Sequence, residues 1–420
     1  MGPVAHGGHC VARHEGRVLF VRHALPGERV VAQVTEGCDG DRFLRADAVD
    51  VLSPSPDRVA PPCPLAGPGL CGGCDWQHAS LAAQRRLKAD VVREQLRRLA
   101  RLDVEVVVEA VPGDDEGLGW RTRMQFAVGP DSKLGLRPHR SHQVLALTSC
   151  PIAHPGVEAT GVTGQAWPGV RAVDVVVATT PGADPGERAL VIAESASRKR
   201  PALPQVDAAL AVTGVHGGLD QVRGRAFVQE RVVVGDWQHD FRVSGSGFWQ
   251  VHPGAPAALV GAVLAALRPQ AGEQVLDLYA GAGLFTAALA HAVAPQGAVL
   301  AIESNPRAVR DARHNLRNLP GAGVSQGRVD RVLAAMLPTG VRADLVVLDP
   351  PRTGAGRVVV EQICSLRPRA VAYVACDPAA LARDVAYAAE HGYRLTGVRG
   401  FDLFPMTQHV ECVALLVRGS

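Results

Sequence analysis

From about residue 245 to the end, apolar β segments and helical segments alternate, and this rhythm restricts the second half of the chain to a small set of folds. In order it reads QVLDLY (strand), AALAHAV (helix), GAVLAIE (strand), PRAVRDARHNLRN (helix), ADLVVLD (strand), AVAYVAC (strand) and ALARDVAYAAE (helix), and it closes on the alternating strand QHVECVALLVR. That alternation is the pattern of a doubly wound, parallel α/β sheet. Such sheets bind ligands beyond the carboxyl ends of their strands, so the residues at those ends carry the functional reading.

VLDLYAGAGLF (275–285) is a buried strand running into a glycine-rich turn. Gly281 and Gly283 let the backbone approach a ligand where a Cβ would clash. Glu303 ends the next strand, 22 residues after Gly281, where a carboxylate can accept both hydroxyls of a ribose. Thr286 stands where a dinucleotide fingerprint has its third glycine. The turn therefore favours S-adenosylmethionine, which has no pyrophosphate to seat on a helix N-terminus, over NAD. A tight turn without a ligand is the alternative. In LVVLDPPRTGAG (345–356), Asp349 terminates an apolar strand at the same edge, and two prolines stiffen the backbone after it. Its alternative role is a turn-forming cap.

VACDPAAL (374–381) places Cys376 at a strand end, with Asp377 a good N-cap and Pro378 a good first helical residue. The positive end of a helix dipole lowers a thiol's pKa, so this position predicts a thiolate nucleophile; a buried structural thiol is the alternative. Glu411 interrupts the apolar strand HVECVALLV. A carboxylate buried there would have a raised pKa and suit a general base, whereas on an exposed edge strand it would be inert. A methyl-donor pocket, a thiol and a base match one reaction class. C5 of a pyrimidine becomes nucleophilic once a thiolate adds to C6, and a base must later remove the C5 proton.

The first half reads differently. RVLFVRHALPGERVVAQV alternates around the turn LPGE and predicts a small β-barrel over residues 1–55. SPSPDRVAPPCPLAGPGLCGGC (53–74) is too rich in Pro and Gly to order itself as helix or central strand. Residues 80–101 are strongly helical and place Arg86, Arg93, Arg97 and Arg101 on one face; this helix is expected to pack on the catalytic part. From about 105 to 240 the chain is β-rich. The domains expected are 1–55, 56–240 and 241–420. Cys63, Cys71 and Cys74, with Cys150 as a fourth ligand, suit zinc or an iron–sulfur cluster, and spacing does not choose between them.

Charge adds little: 41 of the 44 basic residues are Arg, which fits a GC-rich genome, and the net charge is only +3. No segment reads as a signal peptide, and AALVGAVLAAL (257–267) is too short to span a bilayer, so no membrane association is expected. Nine cysteines in a chain without an export signal point to a reducing cytoplasm.

These motifs resemble the uracil-5 RNA methyltransferases of rRNA and tRNA. FWQVH (248–252), LDLYAGAGLF, DPPRTGAG, ACDPAALARD and FPMTQHVECVALL are similar to that family's motifs, in its order. ARHEGRVLFVRHALPGERV resembles its TRAM domain, a small RNA-binding barrel, and CGGCDWQH and GWRTRMQF resemble further segments. The resemblance implies a Rossmann-like class I methyltransferase domain, an N-terminal TRAM/OB-like barrel and a β-rich central domain. It implies Cys376 as nucleophile and Glu411 as proton acceptor. Gln250, Tyr279, Glu303 and Asp349 match the S-adenosylmethionine contacts, and the four cysteines imply a [4Fe–4S] cluster. The partner implied is rRNA or tRNA, bound by a monomer. The chain departs from the family in YAGAG, which lacks a Cys after Tyr, in ACDP for SCNP, in the His ending FWQVH, and in a longer first cysteine gap. Asp377 in place of Asn sets a carboxylate beside the thiol, where it opposes the lowering of its pKa. Arg121, Arg123, Arg137, His139, Arg140 and the Arg face of helix 80–101 are candidates for the RNA path. The rival functions are a non-catalytic RNA-binding iron–sulfur protein, which should lack the thiol or the base, and a DNA cytosine-C5 methyltransferase, which should carry Pro where Ala375 stands.

Overall fold

The computed structural model describes residues 1–38, 40–180, 188–197, 199–213 and 218–419. The alternating N-terminal segments form a four-stranded sheet of β1 (Cys10–His14), β2 (Arg17–Arg22), β3 (Arg29–Glu36) and β4 (Phe43–Ser53), in the order β1-β2-β4-β3. The strands on either side of the LPGE turn do not pair with each other. β2 pairs with β1 and, in parallel, with β4, whereas β3 pairs only with β4. The reason lies in Glu28, whose buried carboxylate accepts the Arg58 guanidinium at 2.6 and 2.7 Å and the backbone N–H groups of Leu25 and Ser55. These bonds tie the turn to the segment after β4 and keep it from folding back on itself.

Helix α1 (Leu81–Gln95) begins at Ser80, whose hydroxyl accepts the Ala83 N–H. It continues into a π-helical turn, Leu96–Ala100, and stops at Arg101 in the left-handed conformation. The π turn breaks the regular 3.6-residue spacing, so the Arg stripe is not one continuous face. Ala89, Val92 and Leu96 share a core with Leu276, Leu278 and Leu348 of the C-terminal sheet. Lys88, fully buried, donates to Asp402 (2.5 Å) and to the Phe404 carbonyl (3.0 Å).

After α1 comes β5 (Val107–Ala110), whose partner lies in the C-terminal sheet. A seven-stranded sheet follows, built from β6 (Arg123–Val128), β7 (Leu134–Leu136), β8 (Leu145–Ala146), β9 (Val170–Val177), β10 (Ala189–Ser195), β11 (Ala209–Thr213) and β12 (Leu219–Arg223). A short helix, α2 (Pro155–Ala159), sits against β9, and the hairpin of β13 (Phe227–Val234) and β14 (Trp237–Ser244) leads out of this region.

The last part alternates as expected: α3 (Ala255–Leu267), β15 (Gln274–Leu278), α4 (Leu284–Val293), β16 (Ala298–Glu303), α5 (Pro306–Leu316), β17 (Ala322–Gln326), α6 (Val329–Met336), β18 (Leu345–Leu348), α7 (Gly356–Ser365), β19 (Ala370–Ala375), α8 (Pro378–Glu390), β20 (Tyr393–Asp402) and β21 (Glu411–Arg418). The strand order is β17-β16-β15-β18-β19-β21-β20-β5, parallel except for β21, which is antiparallel to both neighbours. This is a Rossmann-like sheet, with core on both faces. Among the described residues no helix is long and apolar enough to cross a membrane.

Candidate active site

Leu278 pairs with Ile302 on one side and Leu348 on the other, and Leu348 pairs with Tyr373. The chain therefore leaves the sheet along one edge at Tyr279, Glu303, Asp349 and Cys376. Tyr279, at φ 62°, turns sharply, and its N–H reaches the Ile302 carbonyl at 2.9 Å. Gly281 and Gly283 follow at φ 56° and 92°, conformations that a side chain would strain. Glu303 closes this turn: one carboxylate oxygen accepts the Gly281 N–H (3.0 Å), the other the Asn305 N–H (2.6 Å). The oxygen facing Gly281 keeps a lone pair for a further donor, such as a ribose hydroxyl, while the other also accepts the Ser304 hydroxyl (3.4 Å).

The Thr286 departure has a structural reason. Its hydroxyl donates to Asp277 at 2.5 Å, both groups being fully buried, so the side chain satisfies an acid set inside the VLDL strand. Beside the turn lies a cavity of about 430 Å³ lined by Tyr279, Ser304, Asp330, Ala355 and Gly356. Gln250 is buried in the turn joining β14 to α3. Thr122 holds that turn through its N–H and hydroxyl, both 2.9 Å from the Val251 carbonyl. The Gln250 amide has no hydrogen-bond partner among the described residues, so its donors and acceptor remain available to a ligand.

Cys376 and Glu411 are brought together by strand register. Ala375 pairs with Cys412 in the antiparallel β19–β21 ladder, and one more step along that register sets Cys376 opposite Glu411. Facing Cβ atoms across such a ladder lie about 5 Å apart. Glu411 is only 4% exposed. Burial and the neighbouring Asp349 carboxylate push its pKa well above the usual range, against the pull of Arg352. Burial and Asp277 push Asp349 up to about 7.

Cys376 departs from expectation. Its pKa is pushed up to about 12, by burial first and then by the charges of Glu411 and Asp349, with Arg352 opposing. The helix terminus lies next to the thiol, but desolvation and two carboxylates outweigh it. Asp377 is not the source of that rise. Its side chain caps α8 by accepting the Ala380 N–H (2.8 Å) and lies 3.0 Å from the His6 imidazole. Burial pushes Asp377 up, but these bonds outweigh it and hold its carboxyl below the usual range.

Three contributors were not singled out from the sequence. Arg352, inside DPPRTGAG, is the cation acting on both Cys376 and Glu411. Asp384, 1% exposed on α8, accepts the Ala355 N–H (2.7 Å), the Gly356 N–H (3.1 Å) and the Tyr373 hydroxyl (2.7 Å). The helix that starts beside the thiol thereby clamps the loop that follows Asp349. His6, from the extreme N-terminus, reaches the α8 cap. An acid in a helix and a His in a polar tail give no sequence signal of such contacts.

Cys63, Cys71, Cys74 and Cys150 line one cavity of about 300 Å³, with Leu65, Met124 and Ile152 among its apolar walls. Gly72, between two of the thiols, approaches the His139 backbone so closely that a Cβ would sit 2.6 Å from its nitrogen. The donor set suits a thiolate-liganded group. Among the described residues, however, no three His, Cys, Asp or Glu side chains converge on a single metal-ion position.

The RNA-path candidates scatter. Arg121 lines the cysteine cavity. Arg123 donates to the Gly247 carbonyl (2.6 Å) and has a buried guanidinium nitrogen, so it is a structural link and not a surface contact. Arg140 pairs with Glu36, Arg86 with Asp57 and Arg93 with Asp90.

Residues 220–419 match the family model described as tRNA (uracil-5-)-methyltransferase. The chain is 52% identical to an uncharacterized RNA methyltransferase of Streptomyces avermitilis, over 99% of this chain and 96% of that one. It is 38% identical to another from Bifidobacterium longum, over 98% and 94%. Its fold is similar to that of the Pyrococcus abyssi tRNA (uracil-54, C5)-methyltransferase, solved with S-adenosyl-L-homocysteine, at a TM-score of 0.73 and 22% identity over 99% of each chain.

Proposed function

The chain belongs to the uracil-5 RNA methyltransferase family, and from that premise we propose that it methylates C5 of a uridine in structured rRNA or tRNA through a transient Cys376–C6 bond. The observation that carries this is the register that sets a half-buried thiol opposite a buried carboxyl at the ligand-binding edge of the sheet. S-Adenosylmethionine, held by Gln250, Tyr279, Gly281, Gly283, Glu303 and Asp349, supplies a methyl carbon bonded to a sulfonium. In the free protein burial and the carboxyls oppose thiolate formation, and Arg352 offsets part of that opposition.

Cys376, as the thiolate, adds to C6 of the uracil, and the C5=C6 electrons move toward O4. C5 then takes the methyl carbon, whose bond to sulfur breaks. Glu411 removes the C5 proton, the C5=C6 bond re-forms, and the Cys376–C6 bond breaks to release the thiolate. Arg352 is placed to offset the negative charge that gathers at this edge.

The N-terminal sheet is read as a TRAM-like RNA-binding unit over 1–55, followed by a central unit over 56–240 and the catalytic unit over 241–420. Cys63, Cys71, Cys74 and Cys150 would hold a [4Fe–4S] cluster, which would cross-link the Pro/Gly-rich segment to the central domain. Incubation with 5-fluorouridine RNA and S-adenosylmethionine tests the chemistry. A covalent protein–RNA adduct is expected and is lost in Cys376→Ala; an adduct undiminished in that variant overturns the assignment. Anaerobic purification is expected to yield a brown protein, and a colourless one with stoichiometric zinc would refute the cluster.

A further inference from the structure

A cleft of about 960 Å³ opens between the β13–β14 hairpin and the N-terminus of α5; neither Cys376 nor the clustered cysteines line it. Four guanidinium groups line it, from Arg225, Arg242, Arg307 and Arg310, and among the described residues no carboxylate does. Its walls are fixed in place. Asp311, 2% exposed, accepts the Ser244 N–H (2.8 Å) and hydroxyl (2.9 Å), and Asn315 exchanges two hydrogen bonds with the Arg242 backbone (2.8 and 3.0 Å). Asp311 is thus turned inward to these bonds and to Arg242 at 3.8 Å.

Inside the cleft two guanidinium groups flank one aromatic ring, Arg242 at 4.5 Å and Arg225 at 5.7 Å from the Phe227 centroid. Arg307 donates to Ser246 (2.9 Å), and Arg310 has no partner among the described residues. Arg307 and Arg310 thus bring two like charges to the cleft without a carboxylate partner among the described residues, and an anion entering there would relieve their repulsion. Guanidinium planes beside a ring suit phosphate oxygens and base faces together. The N-terminus of α5, capped by Asn305, adds the positive end of its dipole. Ser304 lines both this cleft and the cavity beside Tyr279, so the cleft opens onto the edge where the donor would sit.

We propose that this cleft seats the phosphodiester backbone of the RNA strand next to the target uridine; the idea rests on the RNA-methylating reading of the neighbouring site. The test uses a fluorescein-labelled 12-nucleotide single-stranded RNA, its binding followed by anisotropy across a salt series without S-adenosylmethionine. For Arg307→Ala/Arg310→Ala, the slope of log Kd against log salt is expected to fall by about 1.4, from two phosphate contacts at about 0.7 each. S-Adenosylhomocysteine affinity by calorimetry is expected to stay at the wild-type value. Arg394→Ala, on the exposed face of β20, is expected to leave the slope unchanged.

An unchanged slope in the double variant overturns the proposal, as does a wild-type chain that does not bind the probe. Loss of S-adenosylhomocysteine binding would assign these arginines to the donor site instead. Adenosine 5′-monophosphate at millimolar concentration is expected not to displace the RNA; displacement would make the cleft a free-nucleotide site and overturn the proposal. Cys376→Ala is expected to bind the probe normally, so failure of the covalent chemistry and failure of the cleft give separate readouts.

Discussion

Replacing Glu411 by Gln removes a buried charge while keeping the shape of the side chain, and three readouts should move in stated directions. Glu411 is the second cause, after burial, of the raised Cys376 pKa, so the variant thiol should titrate below the wild-type value of about 12. Peptide-resolved alkylation by iodoacetamide, measured against pH, reports that shift for Cys376 apart from the other eight cysteines. Stability should change with the opposite sign to an ordinary paired carboxylate. A folded pKa raised above the unfolded value means that the folded state holds its proton longer, so wild-type stability falls as pH rises from about 4.3 toward the raised value. Gln has no proton to lose, and the variant should gain on the wild type by about 1.4 kcal/mol for each pH unit in that window. Urea unfolding at several pH values measures this gain. Chemistry should suffer in one step only: without its base, turnover is expected to fall by about 10²–10⁴-fold while RNA accumulates on the enzyme as a denaturation-resistant adduct. Equal pH dependence of stability in the two proteins, or free turnover without adduct, would refute the reasoning.

Lys88→Met strands the Asp402 carboxylate in the core and is expected to cost about 3–5 kcal/mol in urea unfolding; adding Asp402→Leu should recover much of that loss. Asp384→Ala leaves two backbone N–H groups and the Tyr373 hydroxyl without their acceptor, an expected loss of about 1–3 kcal/mol. Because Ala355 and Gly356 also line the cavity beside Tyr279, calorimetry on that variant should show weaker S-adenosylhomocysteine binding. The His6 pKa is raised, chiefly by its bond to Asp377, so that contact contributes fully below about pH 6.5 and is lost as pH rises through the raised value. His6→Ala should therefore lower Tm at pH 6 and not at pH 9, by no more than the equivalent of about 0.5 kcal/mol for a partly exposed pair.

The catalytic sheet was legible because its strands and several helices carry strong periodic signals, and because strand ends in such a sheet face one edge whatever the details of packing. β17, α6 and α7 passed unnoticed. β17 spells AGVSQ, with little apolar content, and the two helices are short and lie between loops. The strand pairing around LPGE was not legible because the turn's partners, Arg58 and Ser55, lie beyond the next two strands.

Residue chemistry and order along the chain determined which groups stand at the strand ends: the glycine turn, Glu303, Asp349, Cys376 and Glu411. These are local facts, since a strand followed by Gly or by an Asp-Pro cap must stop there. Only the tertiary structure decided their electrostatics. A helix N-terminus by itself predicts a lowered thiol pKa, yet Cys376 rises to about 12 because β21 returns antiparallel and brings Glu411 into place while Asp349 presses in from the neighbouring strand. Likewise Asp377 looked like a neighbour of the thiol and is instead engaged by His6, some 370 residues away in sequence. Desolvation and Coulomb interactions depend on distance in space, and distance in sequence does not encode it.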